Sequence, residues 1–133
     1  MKLLPDSNRL RIVPMLFVMG TIFFLSHQPG DSLHLPAFPG IDKLAHLTIC
    51  CLLGLTVFHA LPVSWIRNHS KILVYLTVIT TVVAYGISDE FHQSFIPGRQ
   101  TSGADLVADG FGGIVAIFIW SLRNSRLPHL KKY

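Results

Sequence analysis

The chain has 133 residues, one domain's worth, which argues against a catalytic domain joined to a separate regulatory one. Half of the residues are hydrophobic and 14% are charged, against roughly 25% in soluble domains, so composition places the chain in the membrane class. The net charge of +4 sits in the flanks of apolar segments without aromatic interleaving, which excludes a nucleic-acid partner and makes anionic lipid head groups the neighbours.

Four apolar segments fill most of the length, at 12–25, 44–61, 72–87 and 106–120. Each falls short of the ~20 residues that cross a bilayer, and each is extended by flanking Ser, Thr, Trp or snorkelling Arg. The expected fold is therefore an all-α membrane protein, a four-transmembrane-helix bundle in a single domain, with helices at about 10–27, 43–61, 71–91 and 104–122. The first segment contains Pro14 and has the length of a signal peptide. No small-x-small cleavage site follows Ser26, so the segment is expected to remain as a spanning helix. No repeat of a solenoid and no low-complexity tract is present.

Lys2, Arg9 and Arg11 precede the first segment, Arg67 and Lys71 lie between the second and third, and Arg123, Arg126, Lys131 and Lys132 follow the fourth. Nine of the 11 basic residues thus fall on one side, and the positive-inside rule puts both termini in the bacterial cytoplasm. The connections at 27–43 and 89–104 then face outward from the cytoplasmic (inner) membrane. Cys50 and Cys51 are adjacent inside the second helix, lack CxxC or disulfide spacing, and read as small apolar core residues.

The acids and histidines concentrate at the outward ends. In "IDKLAHL" the i, i+4 spacing puts Asp42 and His46 on one helical face with Lys43 beside them. In "YGISDEFHQ" the spacing puts Asp89, His92 and Gln93 on one face, with Glu90 pointing elsewhere. In "TSGADLVADGFGG", Asp105 and Asp109 lie one turn apart. Ala104, Ala108, Gly112 and Ala116 recur every four residues and form a small-residue ridge, which suits close helix packing in the bundle or across a homo-oligomer. An ionised acid near the middle of a membrane helix costs about 3 kcal/mol on insertion scales, so Asp109 is expected to have a partner or a cavity. Lys43, Arg99, His46 and His92 are the candidates.

Each residue also has a structural reading. Asp42 fits an N-cap, Ser102 and Asp105 have the spacing of a capping box, and Pro97-Gly98 reads as a turn. Arg99 is placed to meet head-group phosphate, and His59 and His69 fall at the opposite, interfacial end. As a group, the acids, two histidines, Lys43 and Arg99 favour an outward-opening polar cavity over a purely structural network.

"FFLSHQPG", "DKLAHL", "DEFHQSFIPGRQTSGAD" and "ADGFGG", in this order over about residues 20–116, resemble the VanZ-like family of small bacterial membrane proteins. Ser26 and Gln28 match the polar end of the family's first segment, and Asp42, Lys43 and His46 match its D-K-x-x-H. Asp89, Glu90, His92 and Gln93 match its D-E-x-x-Q region, and Arg99 with Asp105 match its G-R...D. Asp109 falls where many members have Asn, which ranks it below Asp89 as a catalytic candidate. The family's namesake is associated with low-level resistance to teicoplanin, an acylated glycopeptide that acts on lipid-linked cell-wall precursors. The resemblance thus implies a cell-envelope role and gives no reaction.

Two functions follow as expectations. In the first, a binding or envelope-modifying module takes a lipid-linked precursor or acylated glycopeptide, with Lys43, Glu90, Gln93, Arg99, Asp105 and Asp109 binding the ligand among membrane lipids. In the second, an intramembrane acid-base enzyme uses Asp89 or His92 as base, Asp42 to orient His46, and Lys43 with Arg99 to stabilise anionic charge. No nucleophile signature accompanies Ser88 or Ser94. Asp42/His46 with Asp89/His92 form a mixed donor set of the zinc or manganese type, but no H-E-x-x-H is present, and neither a metal nor a cofactor is expected.

Overall fold

The computed structural model describes residues 10–30 and 39–125. A 3-10 turn, Leu10–Ile12, leads into α1, Val13–Ser26, with Pro14 in the first turn where its missing N–H leaves nothing unpaired. α2 spans Ile41–Ala60, α3 is a short helix at Val63–Asn68, α4 runs Lys71–Gln93 and α5 runs Gly103–Ser125. All regular structure among the described residues is helical. α2, α4 and α5 are each long and apolar enough to cross a membrane, while Leu10–Ser26 is a shorter apolar helix. In a bilayer only closed hydrogen-bonding patterns such as these avoid stranded backbone groups. Lys2, Arg9, Arg126, Lys131, Lys132 and residues 31–38 of the 27–43 connection lie outside the described residues.

Small residues bring the helices together. Gly112 of α5 lies against the α2 backbone, where an added Cβ would stand 2.5 Å from the Leu47 carbonyl oxygen. Further along the same seam, Gly54 of α2 faces Ala116 of α5. The four-residue ridge predicted on α5 is thus a packing surface within the chain, with Ala108, Gly112 and Ala116 buried and Ala104 exposed at its end. Leu53, Val74, Val78 and Val82 fill the space between α2 and α4. Large apolar side chains such as Phe17, Phe24, Phe111 and Phe118 point outward, as lipid-facing positions do.

The two ends of the bundle differ. At the end holding the α2 C-terminus and the α4 N-terminus, Phe58 stacks on Trp120 at 4.6 Å between ring centres, with Tyr75 edge-on to both. Ser70 caps α4 by accepting from the Leu73 amide at 3.2 Å, and Trp65 of α3 stacks on His69. α3 occupies a connection whose sequence gave no helical signal, because six residues are too few to establish a period. The opposite end is polar. There residues 94–102 fold back on α1, with the Gly30 amide donating to the Pro97 carbonyl at 3.2 Å. Gly98 adopts φ 74°, a conformation that favours glycine.

Candidate functional site

Asp109 is the most enclosed acid, with 2% of its surface exposed. It fits because the facing residue on α4 is Gly86, whose added Cβ would stand 2.5 Å from Asp109 Oδ2. Its Oδ1 lies 3.1 Å from His46 Nδ1 and accepts from the Cys50 thiol at 3.2 Å. With Asp109 ionised and the imidazole neutral, the hydrogen of this contact sits on His46 Nδ1 and Nε2 is the acceptor nitrogen. Cys50 therefore belongs to the polar cluster and is not simply apolar filling. Its signal in the sequence is its position four residues after His46, on the same face of α2.

Asp89 forms a second node. Gln93, one turn on, donates from Nε2 to Asp89 Oδ2 at 2.9 Å and to Ser26 Oγ of α1 at 3.1 Å, and all three side chains are buried. A third node lies where α2 meets the start of α5. Lys43 Nζ donates to Asp42 Oδ2 at 2.8 Å and, more distantly, to Asp105 Oδ1 at 3.4 Å. Glu90 Oε2 accepts from the Ser102 amide at 3.1 Å, a carboxylate at the N-terminus of α5 where the helix dipole favours negative charge.

Several expected pairings change. Asp42 and His46 both line one cleft, as their spacing predicts, but the partner of His46 is Asp109 and not Asp42. Gly40, in the left-handed region, takes the N-cap position of α2 in place of Asp42. Ser102 and Asp105 do not close a capping box, since the Ser102 hydroxyl accepts from the Ala104 amide and its own amide goes to Glu90. Glu90 points inward toward α2 and α5, whereas His92 turns toward α1. There His92 Nε2 lies 3.2 Å from His27 Nδ1, and both rings contact Phe23. The mixed donor set of Asp42/His46 with Asp89/His92 is not assembled. His46, Glu90 and Asp105 converge instead, with one ligating atom from each within 4.8 Å of the others.

Arg99 reaches across to α1. Its Nε donates to the Gln28 carbonyl at 3.0 Å and Nη2 donates to the Leu25 carbonyl, which also accepts from the Gln28 amide at the C-terminus of α1. Between α1, α2 and α4 lies a cleft of about 190 Å³. Asp42, His46, Asp89, Gln93, Arg99 and Asp109 line it together with apolar Ile22, Leu25 and Ile49. A second depression on the other side of α1 and α4 is bounded by Phe23, Tyr85, Asp89, His92 and Phe95. Asp89 thus borders both.

The fold and the cluster define a helical membrane protein in which carboxylates, an imidazole and one guanidinium gather at the same end of several helices. The family model described as VanZ/LLP1 matches residues 10–124, and the chain belongs to this VanZ-like family. No curated protein and no solved structure matches it.

Proposed function

We propose that the chain is a four-span protein of the bacterial cytoplasmic membrane that binds the polar head of an envelope amphiphile in the cleft between α1, α2 and α4. The observation that carries this reading is the meeting of Asp89, Asp109, His46, Gln93 and Arg99 with an apolar wall in one cleft. Hydroxyl and amino groups of a sugar or peptide head donate to Asp89 and Asp109, a phosphate or carboxylate meets Arg99, and an acyl or prenyl tail follows the apolar outer surface. Lipid-linked cell-wall precursors and acylated glycopeptides share this chemistry. The basic residues Arg11, Arg67, Lys71 and Arg123 all lie toward the end opposite the cleft, which supports an outward-facing site with both termini inside.

Titration of the purified protein with a lipid-linked precursor and with teicoplanin tests the reading. Saturable binding of one of them, weakened tenfold or more in Asp89→Asn and in Arg99→Ala, is expected. Failure of the folded wild type to bind either contradicts it. A role in glycopeptide resistance predicts, in addition, that expression raises the teicoplanin concentration needed to stop growth.

A second reading, acid-base catalysis on the same ligand, is favoured by the contact between His46 and Asp109. A buried carboxylate holding an imidazole with its second nitrogen free to accept is a general-base arrangement. On this reading His46→Ala abolishes turnover of the bound ligand while binding persists.

A further inference from the structure

We infer that His46, Glu90 and Asp105 form a three-ligand site for a first-row divalent cation of the zinc class. This goes beyond the amphiphile reading and does not rest on it. The three residues come from different helices, α2, α4 and α5, and each offers a ligating atom within 4.8 Å of the other two. Ligands bonded at about 2.0–2.2 Å around a tetrahedral ion stand roughly 3.4 Å apart. A closure of at most about 1.4 Å from the observed separation therefore brings all three to one ion.

Three further observations point to a cation at this place. Glu90 is divided, with Oε2 on the Ser102 amide while Oε1 is buried and has no hydrogen-bond partner. A buried carboxylate oxygen without a donor is costly, and an ion supplies what the protein does not. His46 presents its Nδ1 to Asp109 Oδ1, which leaves Nε2 to coordinate with a carboxylate behind the ring, the arrangement that orients metal-ligating histidines. Asp105 is 5% exposed, and its only described partner, Lys43, holds it at 3.4 Å while sitting closer to Asp42 at 2.8 Å. An ion that took Asp105 would leave Lys43 with Asp42.

The donor set decides the ion class. One imidazole and two carboxylates suit zinc or manganese, whereas calcium and magnesium prefer oxygen alone. Three protein ligands leave a coordination position open. His46 also lines the cleft, so that position adjoins the space where an amphiphile head is received.

The test is a metal titration of the untagged, chelator-stripped protein in detergent, with stoichiometry from elemental mass spectrometry and affinity from competition with a chromophoric chelator. One equivalent of zinc or manganese is expected on wild type. Glu90→Gln and Asp105→Asn, each confirmed folded by size-exclusion chromatography and circular dichroism, are expected to lose more than the ~10–100-fold that removal of a supporting hydrogen bond costs, with Asp109→Asn inside that range. His69→Ala, which removes a histidine at the far end of the bundle, is expected to bind as wild type does. A folded wild type that takes up no equivalent of either ion overturns the inference. So does uptake that Glu90→Gln and Asp105→Asn leave unchanged, or uptake that His69→Ala removes. None of these outcomes depends on amphiphile binding, which is measured on the chelator-stripped protein.

Discussion

Gly112→Ala and Gly110→Ala, two positions apart on α5, separate the effect of helix packing from that of helix propensity. Both changes gain the same increment, about 1 kcal/mol by solution scales, and it cancels in their comparison. What differs is space. At Gly112 the added methyl would stand 2.5 Å from the Leu47 carbonyl oxygen, 2.8 Å from the Cys51 amide nitrogen and 3.0 Å from Cys50 Cβ. Two of these are atoms of the α2 backbone, fixed by the helix itself, so relief requires α2 and α5 to move apart. At Gly110 the nearest atom is Val83 Cγ2 at 4.0 Å, an ordinary contact. Overpacking of this kind costs about 1–3 kcal/mol, and the backbone contacts put Gly112 at the upper end. Gly112→Ala is therefore expected to be about 2 kcal/mol less stable than wild type and Gly110→Ala up to about 1 kcal/mol more stable. The difference of about 3 kcal/mol corresponds to roughly two orders of magnitude in the unfolding equilibrium. Unfolding in mixed detergent and SDS micelles, followed by tryptophan fluorescence, measures it, because Trp120 stacks on Phe58 only while α2 and α5 remain paired. Equal stability of the two variants would refute the close approach of these helices.

Other perturbations probe the polar end. Asp109→Ala leaves His46 and Cys50 without their shared acceptor and is expected to lower stability by about 3 kcal/mol, while Asp109→Asn, which keeps an acceptor oxygen, loses less than half of that in the same unfolding assay. Arg99→Ala removes the donors that tie residues 94–99 to α1, so amide hydrogen exchange at Ile96 and Arg99 is expected to quicken while exchange in the middle of α4 is unchanged. His92→Ala dismantles a partly exposed contact with Phe23 and His27 and is expected to shift stability by less than about 1 kcal/mol. A larger shift there would show that the α1–α4 contact contributes more than its exposure suggests.

The sequence made the helices legible because composition alone marks lipid-facing segments, and the four-residue spacing of small side chains on α5 marks a seam. Asp42 and His46 share the cleft face of α2 for the same reason, since i, i+4 positions share a face whatever surrounds the helix. The spacing does not give the partners of Glu90 and His92. α4 is flanked by α1 on one side and by α2 and α5 on the other, so residues on several sides of it find partners within the bundle. Spacing fixes the angle between Asp89 and His92 but not which neighbour each meets. The pairing of His27 with His92 depends on two helix ends coming together and leaves no local trace. Cys50 lies in the apolar core, as a small buried residue does, and its thiol also meets Asp109, a contact for which its place one turn beyond His46 is the signal.

Whether the cleft between α1, α2 and α4 receives an amphiphile is read by native mass spectrometry of protein extracted from its own membranes, with wild type beside Asp89→Asn and Arg99→Ala. Wild type is expected to retain one amphiphile of defined mass, with a polar head and a lipid tail, and both variants to lose it while staying folded. If all three proteins carry the same mixture of bulk lipids and the variants differ only in unfolding earlier, the polar cluster holds the helices together and the cleft is no amphiphile site.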